Sequence, residues 1–110
     1  MKQKIGKLKP KNPFFLAPMV EPNDIAFRLL CKKAGAGLTY TGMLNPLTKK
    51  PLNFKDKPAL QLFTHSGKNI KPFIKEFHNK VQLFDFNLGC PAKTARENCY
   101  GVYMHHKLDL

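Results

Sequence analysis

The residues of this sequence best suited to chemistry lie in "LFDFNLGCPAK", residues 83–93. There a thiol, Cys90, stands between Gly89 and Pro91 and three residues after Asn87. An apolar run over residues 81–86 stops at this point, and α/β proteins gather ligands at the carboxyl ends of their strands. Gln61 lies in a second apolar run, "ALQLF". Side chains alternate between the two faces of a strand, so Gln61 shares a face with Ala59 and Phe63, while Leu60 and Leu62 take the other. In the later run Leu83, Asp85 and Asn87 share a face opposite Phe84 and Phe86. An amide buried without a partner costs roughly 1–3 kcal/mol, so Gln61 and Asn87 each require one. A neighbouring side chain or backbone group can serve, but two amides near the carboxyl ends of parallel strands point to a ligand. The Cys90 thiol, set beyond the strand end by a glycine and a proline, faces whatever occupies that mouth. Cys31 shares a helical face with Phe27 and reads instead as a small core hydrophobe.

The elements that must position these groups follow from periodicity and punctuation. Residues 14–17 form a short apolar strand between Pro13 and Pro18. Glu21-Pro22-Asn23-Asp24 supplies turn and capping chemistry before a helix over residues 25–33, and Gly35 can take the left-handed conformation that ends it. Residues 38–41, β-branched and aromatic, form a second strand, followed by a connection rich in Pro, Asn and Lys through residue 56. Residues 59–63 form the third strand. A helix begins near Ile70, because Pro72 is tolerated only in a first turn, and carries Phe73, Ile74 and Phe77 at helical spacing up to Asn79. The fourth strand covers residues 81–86, and a final helix starts near Val102. Strands separated by helices or long connections imply parallel units with right-handed crossovers. Four such strands make an open sheet or half of an eight-stranded barrel, not a closed barrel of about 250 residues.

The chain has 110 residues, 43% of them hydrophobic and 24% charged, the balance of a folded domain and not of a disordered tail. Lys and Arg number 19 against 7 Asp and Glu, a net charge of +12. A surface this basic attracts polyanions, nucleic acid first among them, although lysines also simply solvate a surface. Lys2, Lys4, Lys7, Lys9 and Lys11 mark residues 1–12 as a basic segment ahead of the domain over residues 13–110. Cys31, Cys90 and Cys99 are odd in number and lack CxxC spacing, and His65, His78, His105 and His106 form no metal pattern with them, so no metal site is expected. A reducing cytoplasm suits such cysteines. No apolar run approaches the ~18 residues of a membrane span, and the basic start lacks the apolar stretch of a signal peptide.

Taken in order and at their spacing, "LAPMVEPNDIAFRLLCKKAGAGLTYTGM", "LQLF" and "FNLGCPAKTARENCYGVYMHHKLDL" resemble the amino-terminal half of the tRNA-dihydrouridine synthases. The resemblance covers roughly residues 12–110. It implies the first half of a flavin-binding TIM (β/α)8 barrel, with about four parallel strands and intervening helices. The family reduces particular uridines of tRNA with FMN, using NAD(P)H as reductant. Carried over residue by residue, Pro18, Met19 and Val20 match the segment that lies against the isoalloxazine. Gln61 matches the glutamine that hydrogen-bonds the flavin ring, Asn87 a residue at the edge shared by flavin and target base, and Cys90 the catalytic cysteine. Gly42 stands where many bacterial members have Glu, so no role carries over to it, and Cys99 is incidental.

The resemblance also gives Cys90 a part in the chemistry. A hydride delivered to uracil C6 leaves negative charge at C5 and O4 that a proton must quench. A cysteine thiol ordinarily titrates at about 8.5, so near neutrality it is available as an acid. A uracil inside folded tRNA would have to be extruded to reach the flavin, and Lys93 and Arg96 stand ready to hold the RNA backbone. In the family, a lysine-arginine element, a histidine and the glycine-rich turns that hold the FMN phosphate follow the region represented here. The expectation is therefore that this chain alone binds FMN poorly and self-associates or takes a complementary carboxy-terminal chain. Two other readings stand beside the enzymatic one. One is a basic tRNA-binding remnant without catalysis, and the other a flavin barrel acting on a small molecule, against which the "NLGCP" run and the charge argue.

Overall fold

The structure, a computed structural model, describes residues 3–48 and 51–106. Lys2 and the end of the helix expected from Val102 lie outside the described residues. Four parallel strands, β1 (Phe15–Leu16), β2 (Leu38–Leu44), β3 (Ala59–Leu62) and β4 (Phe84–Phe86), stand in sequential order in one sheet. Helix α1 (Ile25–Lys33) joins β1 to β2, α2 (Ile70–Phe77) joins β3 to β4, and the described residues between β2 and β3 form no helix. This is the βα arrangement of a partial TIM barrel, with its two short strands at the edges.

Local chemistry sets the element ends. Asp24 caps α1, its carboxylate accepting from the Phe27 N–H at 2.8 Å. Gly35 follows at φ +104° and ends the helix as expected. Pro72 lies in the first turn of α2, where its missing N–H has no intrahelical partner to lose. Several boundaries differ from the sequence reading: β4 begins at Phe84 and not at Val81, and α2 ends at Phe77 and not at Asn79. Strand β2 runs on to Leu44, and in place of one helix from Val102 there is a short helix α3 (Lys93–Glu97), then a 3-10 segment, Gly101–His106. The Tyr100-Gly101 turn, with Gly101 at φ +56°, separates the two.

The outer face of the sheet is apolar. Leu44, Leu60, Leu62 and Val81 are buried against Phe73 and Phe77 of α2, with Leu52 and Phe54 from the β2–β3 loop. Phe77 stands at the junction, 4.7 Å from Phe73 and 5.1 Å from Phe54 between ring centroids. Such aromatic pairs add ~0.5–1.5 kcal/mol each to the burial itself.

Helix α1 is held differently. Its one fully buried residue is Arg28, whereas Leu29 and Leu30 are 49% and 62% exposed. Arg28 grips Asp56 through two parallel bonds, Nε to Oδ2 and Nη2 to Oδ1, both 2.9 Å. Nη2 also donates to the Asn53 carbonyl at 2.6 Å and Nη1 to the Asn23 carbonyl at 2.9 Å. Lys32 adds a bond from its ammonium to the Asp56 carbonyl oxygen. One guanidinium thereby ties the turn before α1 to the loop before β3. Breaking a buried pair from one side strands a charge and costs about 3–5 kcal/mol, against a total of ~5–15 kcal/mol for a domain. Asp56→Ala should therefore lower the unfolding free energy by about 3–5 kcal/mol in urea titration, while Asp24→Ala, which removes an exposed cap, should lower it by only about 1 kcal/mol.

Candidate functional site

A β-bulge shapes the inner face of the sheet. Tyr40 pairs with Ala59 and Met43 with Gln61, so β2 spends one residue more than β3 between these pairs. Paired residues of parallel strands point the same way, so the bulge sets both Tyr40 and Met43 on the inner face beside Gln61. Thr41, inside the bulge, replaces a lost ladder bond: its hydroxyl accepts from the Gln61 N–H at 3.2 Å and donates to the Gly42 carbonyl at 2.9 Å.

A line of hydrogen bonds then crosses β3 and β4 toward the thiol. Gln61 Nε2 donates to Asp85 Oδ2 at 2.5 Å, and Gln61 Oε1 accepts from Asn87 Nδ2 at 3.2 Å. Asn87 Nδ2 also reaches Met43 Sδ at 3.3 Å. Its Oδ1 accepts from the backbone N–H groups of Gly89 and Cys90, at 3.1 and 3.0 Å. Gln61 is buried and Asn87 and Cys90 are half-buried. The two amides thus find partners within the protein, chiefly in each other and in Asp85. Each carboxamide carries two N–H donors and an oxygen with two lone pairs, and all four capacities of Asn87 are engaged. Gln61 retains one N–H and one lone pair.

The loop that carries Cys90 is braced from below. An added Cβ on Gly101 would lie 2.8 Å from both the N and the O of Cys90, so only glycine permits this approach. The Tyr103 hydroxyl donates to the Pro91 carbonyl at 3.3 Å. Tyr100 fastens the same region to the other strands: its ring packs edge-on to Phe63 at 4.8 Å, stacks on His65 at 5.2 Å, and its hydroxyl accepts from Asn45 Nδ2 at 3.1 Å. Nothing in the spacing of the sequence assigned these contacts. Asp85 was legible as a face-mate of Asn87, but nothing in the spacing assigned it to Gln61.

After β1, the Met19 carbonyl accepts from Asn23 Nδ2 at 3.0 Å, and the same carbonyl would lie 2.7 Å from a Cβ on Gly42. The glycine at this position therefore has a steric reason. Pro18 and Met19 are half-buried and Val20 is 70% exposed. A depression of about 470 Å³ opens beside them, lined by Val20, Glu21, Asn23, Gly42 and Met43 among others. Met43 borders this depression and also contacts Asn87, which relates the Pro18–Val20 segment to the amide line. Lys93 and Arg96 lie on α3, exposed, Lys93 3.8 Å from Glu97. The structure brings Gln61, Asn87 and Cys90 into one hydrogen-bonded group and leaves Lys93 and Arg96 on the adjoining surface.

The family model for Dihydrouridine synthase (Dus) matches residues 15–110. Among similar proteins, tRNA-dihydrouridine synthase B of Escherichia coli is 32% identical over 110 residues, covering 89% of this chain and 34% of that protein. Its counterpart in Pasteurella multocida is 30% identical over 121 residues, 97% of this chain and 36% of that one. A tRNA-dihydrouridine(16/17) synthase of Saccharomyces cerevisiae, with NAD(P)(+) in its name, is 29% identical over 109 residues, 86% and 26% of the two chains. The chain thus spans about a third of the length of its bacterial relatives.

Two outcomes follow from this geometry. Gly101→Ala combines a left-handed backbone with a clash against Cys90 and should cost about 1–3 kcal/mol. It should also change the rate at which Cys90 is alkylated, read in a background where Cys31 and Cys99 are serine. The second concerns Tyr40, whose hydroxyl is held above 10.0 by burial and then by the Asp85 charge. With the folded value raised above the unfolded one, the Tyr40 contribution to stability is fully present below pH 10.0 and is lost as pH rises through the raised value. The stability difference between the parent chain and Tyr40→Phe should shrink over that window, and Asp85→Asn should bring the tyrosine titration back toward its ordinary range in ultraviolet absorbance.

Proposed function

The chain belongs to the dihydrouridine synthase family, and we propose that it supplies the amino-terminal strands of a site that reduces the C5–C6 bond of uridines in tRNA. The observation that carries this reading is the line from Asp85 through Gln61 and Asn87 to the backbone of Cys90, at the carboxyl ends of β3 and β4. A redox centre at this mouth requires a cofactor, and the residues present fit the planar ring of FMN. Gln61 keeps one donor and one acceptor free, and the exposed Val20 with the half-buried Pro18 and Met19 offers apolar cover. When bound, the flavin, recharged by NAD(P)H, supplies hydride to uracil C6.

The remaining steps fall to this chain's own groups. Cys90 gives its thiol proton to C5, which completes 5,6-dihydrouridine, and the thiolate regains a proton from solvent. Asn87 stands at the base edge as a positioning residue: with all four of its capacities engaged, it fixes the turn that aims Cys90. Asp85 does the same for Gln61, because a carboxylate acceptor selects which end of the amide faces Asn87. Lys93 and Arg96, exposed on α3 just beyond the thiol, hold the RNA backbone while the target uridine is turned out of its stack. A cytoplasmic setting, where tRNA and reduced cysteines coexist, accords with this chemistry, and no helix among the described residues is long and apolar enough to cross a membrane.

The test combines binding and turnover. With FMN added to the reduced chain together with a carboxy-terminal segment of a relative, flavin fluorescence should quench saturably, and Gln61→Ala should weaken that binding while Cys90→Ala leaves it intact. With a carboxy-terminal segment of a relative, NADPH and unmodified tRNA supplied, dihydrouridine should form, and Cys90→Ala should slow it by about 10²–10⁴-fold, the usual worth of a positioned acid. RNA bound without any reduction, even when a carboxy-terminal segment of a relative is added, would replace this reading with a binding role. Reduction of free uracil faster than of tRNA would replace it with small-molecule chemistry.

A further inference from the structure

The lysines are unevenly distributed, and six of them line the amino-terminal end of the sheet, opposite the mouth that holds Cys90. Two depressions lie there. One, of about 460 Å³, is lined by Lys9, Lys11 and Lys32 with Asn12, Gly35 and Gln82. The other, of about 520 Å³, is lined by Lys55, Lys57 and Lys80 with Asn53 and Asn79. Neither contains a carboxylate. The depression beside Val20 at the opposite end contains Glu21 and Asp24, and the one over α2 contains Glu76. Asp56, which stands between Lys55 and Lys57 in sequence, is 8% exposed and paired with Arg28.

These depressions are built features of the fold. Asn12 Nδ2 donates to the Gly35 carbonyl at 2.8 Å, and Gly37 sits so close to Asn12 that a Cβ would lie 2.4 Å from its carbonyl oxygen. The segment carrying Lys9 and Lys11 is thus held against the turn before β2. Gln82, a lining residue of the first depression, donates through Nε2 to the Lys57 carbonyl at 2.7 Å, which places the two depressions side by side. Lys80 lies over the Phe77 ring at 5.1 Å, and apart from Lys32 the six ammonium-bearing residues are exposed.

We infer that this lysine-lined end binds the phosphodiester backbone of RNA at a site separate from the catalytic mouth. Concentrated positive charge on a concave, carboxylate-free surface raises the local concentration of a polyanion and releases its counterions on contact. The choice of RNA over other polyanions rests on the tRNA reading above, whereas the anionic character of the ligand does not.

The experiment is filter binding of a labelled tRNA transcript to the chain across a sodium chloride series. Each lost phosphate contact should reduce the slope of log K against log salt by about 0.7–0.9. Lys55→Glu/Lys80→Glu and Lys9→Glu/Lys11→Glu should each weaken binding tenfold or more at low salt and lower the slope by about 1.4–1.8. Lys68→Glu/Lys71→Glu makes the same change in net charge elsewhere and should have much the smaller effect. Equal losses from all three pairs would mean that only net charge matters, and would overturn the inference. So would a poly-glutamate competitor that displaces the transcript as well as unlabelled RNA does. Circular dichroism checks folding, and the neutral pair Lys55→Gln/Lys80→Gln provides the same slope reading if a charge reversal unfolds the chain. Slopes that follow these lysines while no uridine is reduced even with a carboxy-terminal segment of a relative added would uphold the surface and reject the enzymatic reading; turnover with that segment and unmoved slopes would do the reverse.

Discussion

Taking a guanidinium and a carboxylate out of water costs several kcal/mol per ion, and only good geometry with satisfied hydrogen bonds offsets it. The Arg28–Asp56 pair meets that condition, because every N–H of the guanidinium has an acceptor, the weakest being Asn23 Oδ1 at 3.5 Å. The consequences spread in both directions. Asn53 and Asp56 belong to the connection between β2 and β3, whose described residues form no helix, so the pair holds a stretch without a ladder of its own. Asn23, held by the same guanidinium, turns its amide to the Met19 carbonyl, against which Gly42 packs. A lysine has neither the fork geometry nor the number of donors to make these links.

The two faces of the sheet solve different problems with the same strands. Outward, Leu60, Leu62, Phe84 and Phe86 bury apolar surface under α2. Inward, Gln61, Asp85 and Asn87 bond one another. A half-satisfied polar group on the inner face would destabilise the fold by roughly 1–3 kcal/mol, so this line has to close on itself or on the backbone, and it does both. The bulge in β2 belongs to this solution. A regular ladder would oppose a glycine to Gln61; one extra residue brings Met43 there, and its sulfur takes the second Asn87 hydrogen.

Much of this was readable from the chain alone, because alternation and punctuation are local. Asp24 as a cap, Gly35 as a stop, Pro72 in a first turn and the shared face of Asp85 and Asn87 all follow from short stretches. What escaped was set by residues distant in sequence. Arg28 looks like a polar interruption of "AFRLL", and composition would bury Leu29 and Leu30 before it. The structure reverses this order because Asp56, 28 positions away, waits opposite it. Likewise the β2 bulge depends on pairing with β3, and the division between α3 and the 3-10 segment depends on Gly101 packing against Cys90. The bond between the Gln61 and Asn87 amides likewise depends on β3 lying beside β4 in register.

That mutual satisfaction limits how the inner face can hold a ligand. Asn87 can bind a new group only by giving up an existing bond, an exchange that nets little free energy because one hydrogen bond replaces another. Gln61 has one donor and one acceptor to spare, and those can set the orientation of a ring. Under the proposed function, affinity would then come chiefly from apolar cover, for which exposed Val20 and half-buried Met19 and Met43 are available, at about 25 cal/mol per Å² removed from water. On this division of labour the amide line contributes geometry more than binding energy. Anchored through Asn87 in the backbone of Cys90, it fixes where the thiol stands relative to the strand ends, which is what the proposed proton transfer to one defined carbon requires.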